Sequence, residues 1–380
     1  MKLICEKADL LAAVGPATSL ASKNTQAATE GIHIKAEDAS CILSVYDMEK
    51  GMRAVIPATV EEAGSVIITA PMLKDFLATA EDGPVRLESD AGNNVHIISG
   101  KAKMELHGRD GKLFSILPEL SGERGFTVPQ KVLRRMISQV SFAVSQKDHR
   151  VVLLGAHFVV RDTQLRLVAC DGNRLAIKDY LAPIDNRSLD GAALSLNFTV
   201  PGKALNELMK LLSDSEEEVT IILGRKHVIF SIGSIKFFTR LIDGDYIDYN
   251  RFVPTNFTIH AEVNTAELIA GLSRAALITD VRAVGQVRSI VSLRFEEEQL
   301  IISSSSVSGK SYDEIAIDKE GGDLHIGFNC RMLLEVIRAC NTERVTLDLH
   351  TALTSMVIRP AVKEENEDFL FLCLPVKMHD

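Results

Sequence analysis

Tryptophan is absent from the 380 residues and tyrosine occurs only five times. With no aromatic residues interleaved among its basic positions, a basic surface on this chain would meet phosphates and would not read or stack on bases. Apolar runs long enough to cross a bilayer are also missing, and the opening MKLICEKADLL puts lysine and acids where a signal peptide needs its apolar stretch. A cytoplasmic protein without a membrane partner is expected. The six cysteines, Cys5, Cys41, Cys170, Cys330, Cys340 and Cys373, form no CxxC pair and lack the dense spacing of a secreted disulfide framework, so buried, reduced thiols are expected. Positive charge is not in excess either. The net charge of -9 argues against a uniformly basic nucleic-acid binder, but not against one whose charge is segregated by face.

Enzymatic machinery is equally sparse. There is no HExxH, no histidine pair at metal-ligand spacing, no GxSxG and no GxGxxG after a strand. The run Ser304 to Ser311, SSSVSGKS, ends like a phosphate loop but has Ser304 where that loop requires glycine. The calcium-like DGDYID offers Asp243 and Asp245, yet Ile247 fills the third ligand position, Asp248 the glycine position and Pro254 the terminal glutamate position. No catalytic residue, metal or cofactor is expected.

What the chain does contain is a repeat. Phe126 to Leu133, FTVPQKVL, returns as FTVPGKAL from Phe198 to Leu205. Alternating side chains up to the valine read as the end of a strand, and the proline suits the first position of a helix, where no N–H partner is needed. Apolar residues then follow at helical spacing, Leu133, Met136, Ile137 and Val140 in one copy and Leu205, Leu208, Met209 and Leu212 in the other. Weaker copies begin near Leu3, Ile67, Phe257 and Leu324, making six units of strand, helix and about three further strands. The chain is too long for one ordinary core, and six units in pairs give three domains, at 1–122, 123–250 and 251–380. Helices on mainly antiparallel strands belong to the α+β class, and the open edges of such sheets suggest that neighbouring domains continue one another's strands.

Five of the six helices carry cations opposite their apolar face: Lys74; Lys131, Arg134 and Arg135; Lys203 and Lys210; Arg274; and Arg331 and Arg338. Acids lie mostly in strands and loops, as at Glu216 to Glu218, so an acidic protein can own a basic surface. Arranged in an arc, the helices would form a concave wall, and two arcs joined end to end would close around a duplex.

The segments VACDGNRLAIKDY (Val168 to Tyr180), FTVPGKALNELMKLL (Phe198 to Leu212), FFTRLIDGDYIDYNRFVP (Phe237 to Pro254), IGFNCRMLLEVI (Ile326 to Ile337) and the terminal LPVKM (Leu374 to Met378) occur in an order and spacing that resemble the bacterial DNA polymerase III beta subunits, the sliding clamps. The resemblance spans the whole chain. It implies three like domains, a head-to-tail homodimeric ring that encloses duplex DNA without reading its sequence, and no catalysis. It also implies that the replicative polymerase, the clamp loader and repair proteins dock through short linear peptides. Lys23 and Arg150 join the DNA-facing set. The implied peptide pocket holds Leu153, Cys170, Gly172, Asn173, Arg174 and Leu175, then Ile247, Arg251 and Phe252, Asn329 and Met332, Leu353 and Ser355, and finally Leu372, Cys373, Leu374, Pro375, Val376, Lys377 and Met378. Its floor would take Leu and Phe anchors, with Arg174 or Arg251 fixing polar groups. The implied ring joint sets Lys101, Lys103, Met104 and Leu106 against Leu277, Ile278, Asp313 and Glu314 of a second copy, both lysines on one strand face.

The chain departs from the family pattern in four places. Lys23 to Thr29 replaces the common RPTLPIL, Asn173 stands for a histidine, Ile247 stands for a proline, and His379 and Asp380 extend the usual end. A duplicated clamp-like scaffold that keeps the peptide pocket but does not encircle DNA is the alternative reading.

Overall fold

The computed structural model describes residues 1–21, 31–279, 290–307 and 309–378. All six repeats appear as a strand feeding a helix. The helices are α1 (Lys7–Leu20), α2 (Ala70–Thr79), α3 (Gln130–Val140), α4 (Gly202–Leu211), α5 (Thr265–Thr279) and α6 (Cys330–Cys340). The strands that feed them end at Glu6, Ile68, Pro129, Pro201, Asn264 and Asn329. Pro129 and Pro201 therefore close the strand instead of opening the helix, because the fixed φ of proline also suits an extended residue. In α3 the repeat's apolar positions Leu133, Met136, Ile137 and Val140 are all buried while Lys131 and Arg134 face out, as helical periodicity requires.

The chain forms two compact units. The first, of 1–134, 185–193 and 203–241, contains a five-stranded and a ten-stranded sheet. Within the larger sheet, strand Lys50–Pro57 of the first repeat pair runs antiparallel to Ile235–Arg240 of the second, with Gly51 opposite Phe238. A Cβ on Gly51 would stand 2.6 Å from the Phe238 ring and 2.4 Å from the Val45 carbonyl oxygen, so only glycine fits there. Phe114, Leu117 and Leu120, just before the expected domain boundary at 122/123, pack on Tyr46, Ile229 and Phe238. They give that connection a footing on the sheet.

The second unit, of 135–184, 194–202 and 242–380, is built on one twelve-stranded sheet running from Ser195–Pro201 to Leu324–Asn329. Here Arg174–Tyr180 of the second repeat pair runs antiparallel to Glu367–Cys373 of the third. The expectation that sheets continue from one pair of repeats to the next holds at both junctions. The second junction is further tied by charge. Buried Lys178 meets Glu367 at 2.6 Å, and Arg135 reaches Glu364 at 2.5 Å and Glu367 at 3.4 Å. Desolvation dominates at Lys178 and lowers its pKa.

Candidate peptide pocket, strand edges and basic helices

The pocket floor follows from strand register. Cys170 lies opposite Leu175, Leu175 opposite Leu372, and Leu372 opposite Val357, so one row across four strands points to one face. These four side chains form a buried cluster with Leu153, Val168 and Ile177, against which Val152, Tyr246, Ile247, Tyr249 and Val253 pack. Phe252, Leu353 and Leu374, expected at the pocket and next in sequence to or near these strands, are large apolar side chains that water still reaches, 55%, 76% and 41% exposed. An apolar floor with unburied apolar walls suits an extended peptide with apolar anchors.

The adjacent row faces the other way. Arg174 is opposite Cys373, which is opposite Met356, and both Arg174 and Cys373 are buried. Every arm of Arg174 is already engaged. Its Nε donates to Asp171 (3.1 Å), Nη1 to the Met332 carbonyl (3.2 Å) and Glu335 (2.7 Å), and Nη2 to the Phe142 carbonyl (2.6 Å). Two expected pocket residues, Arg174 and Cys373, are thus supports behind the floor, and Arg174 has no arm left for a ligand. Burial pushes the Cys373 thiol up to about 12.

The remaining pocket positions divide between rim and scaffold. Asn329 caps α6, its Oδ1 accepting from Met332 N at 3.1 Å. Gly172 has a φ of +87°, and Asn173 accepts the Leu374 N–H at 2.9 Å through its carbonyl. Met332, Ser355, Pro375, Val376 and Met378 are half-buried, and Lys377 is exposed. Arg251 is exposed and paired with Asp248 at 2.7 Å. Arg150, expected on the DNA face, instead stands at this rim. Its Nη2 would lie 3.7 Å from a Cβ on Gly172, and Asp148 holds it at 3.1 Å.

Sequence reasoning missed Val152, Tyr246 and Val357. Tyr246 stacks on His157 with centroids 4.8 Å apart, and burial drives the pKa of His157 down to about 4. The motif DGDYID, in which Tyr246 sits, carried the signal, but only as failed calcium ligands.

Among the described residues, both strands of the implied ring joint have an edge without a strand partner along part or all of their length. Strand Ala102–His107 ends the five-stranded sheet. Strand Gly309–Glu320 pairs through 309–316 with Gln299–Ser306 but meets Ile259–Asn264 only from Ile317 onward. Among the described residues, one side of 309–316 is therefore unpaired. Leu277 beside it is 73% exposed and Tyr312 is 64% exposed. Three joint expectations change. Lys101 lies in the turn before its strand, Leu106 is buried in the core, and Asp313 is bound to Arg274 on the strand face opposite Glu314. Lys103 and Glu314 remain exposed, and Met104 and Ile278 are half-buried.

On the helices, Lys74, Arg134 and Lys203 are exposed and have no carboxylate partner among the described residues. Lys131 pairs with Glu216, Lys210 with Glu207 at 2.8 Å and Arg274 with Asp313, while Arg338 donates to Ser273 at 3.2 Å. Arg135 is held by Glu364 and Glu367 and leaves the DNA-facing set. Lys23 lies outside the described residues. No group of three or more potential metal ligands occurs among the described residues, and none of their helices is long and apolar enough to cross a membrane.

Six strand–helix units on continued antiparallel sheets, with a buried apolar cluster at the candidate pocket and open strand edges, define a clamp-type architecture. Comparison with known proteins specifies it. Models of the DNA polymerase III beta subunit match as its N-terminal domain at 1–118, its central domain at 127–248 and its C-terminal domain at 250–377. The chain belongs to the DNA polymerase III beta subunit family. A beta sliding clamp of Staphylococcus epidermidis is 29% identical over 98% of this chain and 96% of its own length. The crystal structure of the Bacillus subtilis DNA polymerase sliding clamp superposes with a TM-score of 0.90 at 28% identity, covering 100% of both chains. A Bartonella birtlesii sliding clamp bound to griselimycin superposes with a TM-score of 0.88 at 26% identity, again over 100% of both.

Proposed function

We propose that the protein is a DNA sliding clamp: a non-catalytic subunit that closes head to tail with a second copy, encircles duplex DNA and tethers a polymerase by raising its effective concentration there. The two incomplete strand edges carry this reading. Both internal junctions are made by antiparallel strand pairing, and the same pairing between the 309–316 edge of one copy and the 102–107 edge of another would complete the ring. Leu277, Ile278, Tyr312 and Glu314 would meet Lys103 and Met104 at that joint. We read three domains, at 1–122, 123–250 and 251–380, in a cytoplasmic protein.

Lys74, Arg134, Lys203 and Arg338 would guide the phosphate backbone, and topology would supply the hold. The apolar groove would take short peptides of the replicative polymerase, the clamp loader and repair proteins, as well as griselimycin. A clamp-like scaffold that does not encircle DNA is favoured by one observation, the neutralisation of Lys131, Lys210 and Arg274 by carboxylates of the same chain. Leu277→Asp separates the dimer from other arrangements. Light scattering should give a monomer mass for the variant and a dimer mass for the parent, and an unchanged dimer would contradict the assigned joint.

A further inference from the structure

We propose that Gly327 is a positioning residue for the peptide pocket: by lacking a side chain it sets the height of the C-terminal segment that walls the groove. The proposal rests on the peptide-pocket reading above. Gly327 lies in the strand Leu324–Asn329 at one end of the twelve-stranded sheet. The segment after Cys373 crosses from one support to another. Leu374 N donates to the Asn173 carbonyl at 2.9 Å, and Val376 N donates to the Gly327 carbonyl at 2.7 Å. Between these two bonds the chain presents Leu374 to the groove.

Gly327 is absent from the residues with positive φ, so backbone strain does not explain glycine here. Close approach does. A Cβ at this position would stand 2.6 Å from Met378 Cγ, 3.1 Å from Met378 Sδ and 3.0 Å from the Val376 carbonyl oxygen. Met378 lies directly on the strand backbone, and a methyl group would push its side chain aside and require the Val376 peptide to give by a few tenths of an ångström. The bond at Gly327 would lengthen, while that at Asn173 would stay as a pivot. Leu374 lies nearer the pivot and Met378 nearer the displaced end, so the groove would open from its far side.

The test is calorimetric titration of griselimycin into the full-length protein. Gly327→Ala should weaken binding about tenfold, the scale set by forcing a methyl group into a packed site. Met378→Ala in the Gly327→Ala background should recover part of that loss, measured against Met378→Ala alone, because it removes the atoms the methyl group strikes. A general loss of stability would show no such rescue. Val376→Pro, which deletes the N–H bonded to Gly327 but leaves the strand intact, should also weaken binding and guards against misfolding of the alanine variant. Unchanged affinity in both Gly327→Ala and Val376→Pro, with the parent binding, would overturn the positioning role alone. Failure of the parent to bind would overturn the pocket reading and this inference with it.

Discussion

Arg174 marks the difference between being near a pocket and facing it. It is buried, and its four hydrogen-bond acceptors come from the loop at Asp171, the carbonyl of Phe142 and helix α6. Removing the guanidinium leaves Asp171 Oδ2, Glu335 and the Met332 and Phe142 carbonyls without this donor, so Arg174→Ala should cost about 3 kcal/mol of stability in urea unfolding. A loss of peptide affinity at unchanged stability would return Arg174 to the groove. His157 gives a second expectation. Its folded pKa of about 4 lies below its ordinary 6.5, so the unfolded chain binds more protons between these values. Stability should therefore fall as pH drops from 6.5 toward 4, and the melting temperature of His157→Gln should fall less over that window. Parallel curves for the two proteins would contradict the assigned shift. DGNRLA and LPVKM mark the segments of the candidate pocket in the sequence, but the facing of Arg174 is not legible there. Alternation says that Arg174 and Leu175 point oppositely, yet only the register with the distant strand Glu367–Cys373 decides which of them meets the groove.

Helices and most strands could be read from the chain because a period of two changes to a period of 3.6 at each of six places, and burial follows both periods. Strand Thr59–Glu62 escaped, since TVEE is mostly exposed and shows no apolar alternation; it is defined by pairing with Lys2–Glu6. The same period of two separates Asp313 from Glu314, leaving Glu314 as the acid available to Lys103 of a second copy. Glu314→Lys should shift the dimer toward monomer in sedimentation, and adding Lys103→Glu in the same chain should restore it, because each joint would then hold the swapped pair. No restoration would show that these two side chains do not meet.

For the whole molecule, the central claim is enclosure. Four of the expected DNA-facing helix cations, Lys131, Arg135, Lys210 and Arg274, are already paired within the chain, so contact with phosphate would be modest and the hold must come from closure. The basic faces were visible in the sequence, but their neutralisation was mostly not, because Glu216 and Asp313 come from other elements; only Glu207, one helical turn before Lys210, could have been foreseen. The most direct measurement loads the protein onto nicked circular DNA with its own clamp loader and ATP, then linearises the DNA. Retention on the circle and loss from the linear form is the result this account predicts. Equal retention on both forms, at a salt concentration that abolishes surface binding, would contradict it.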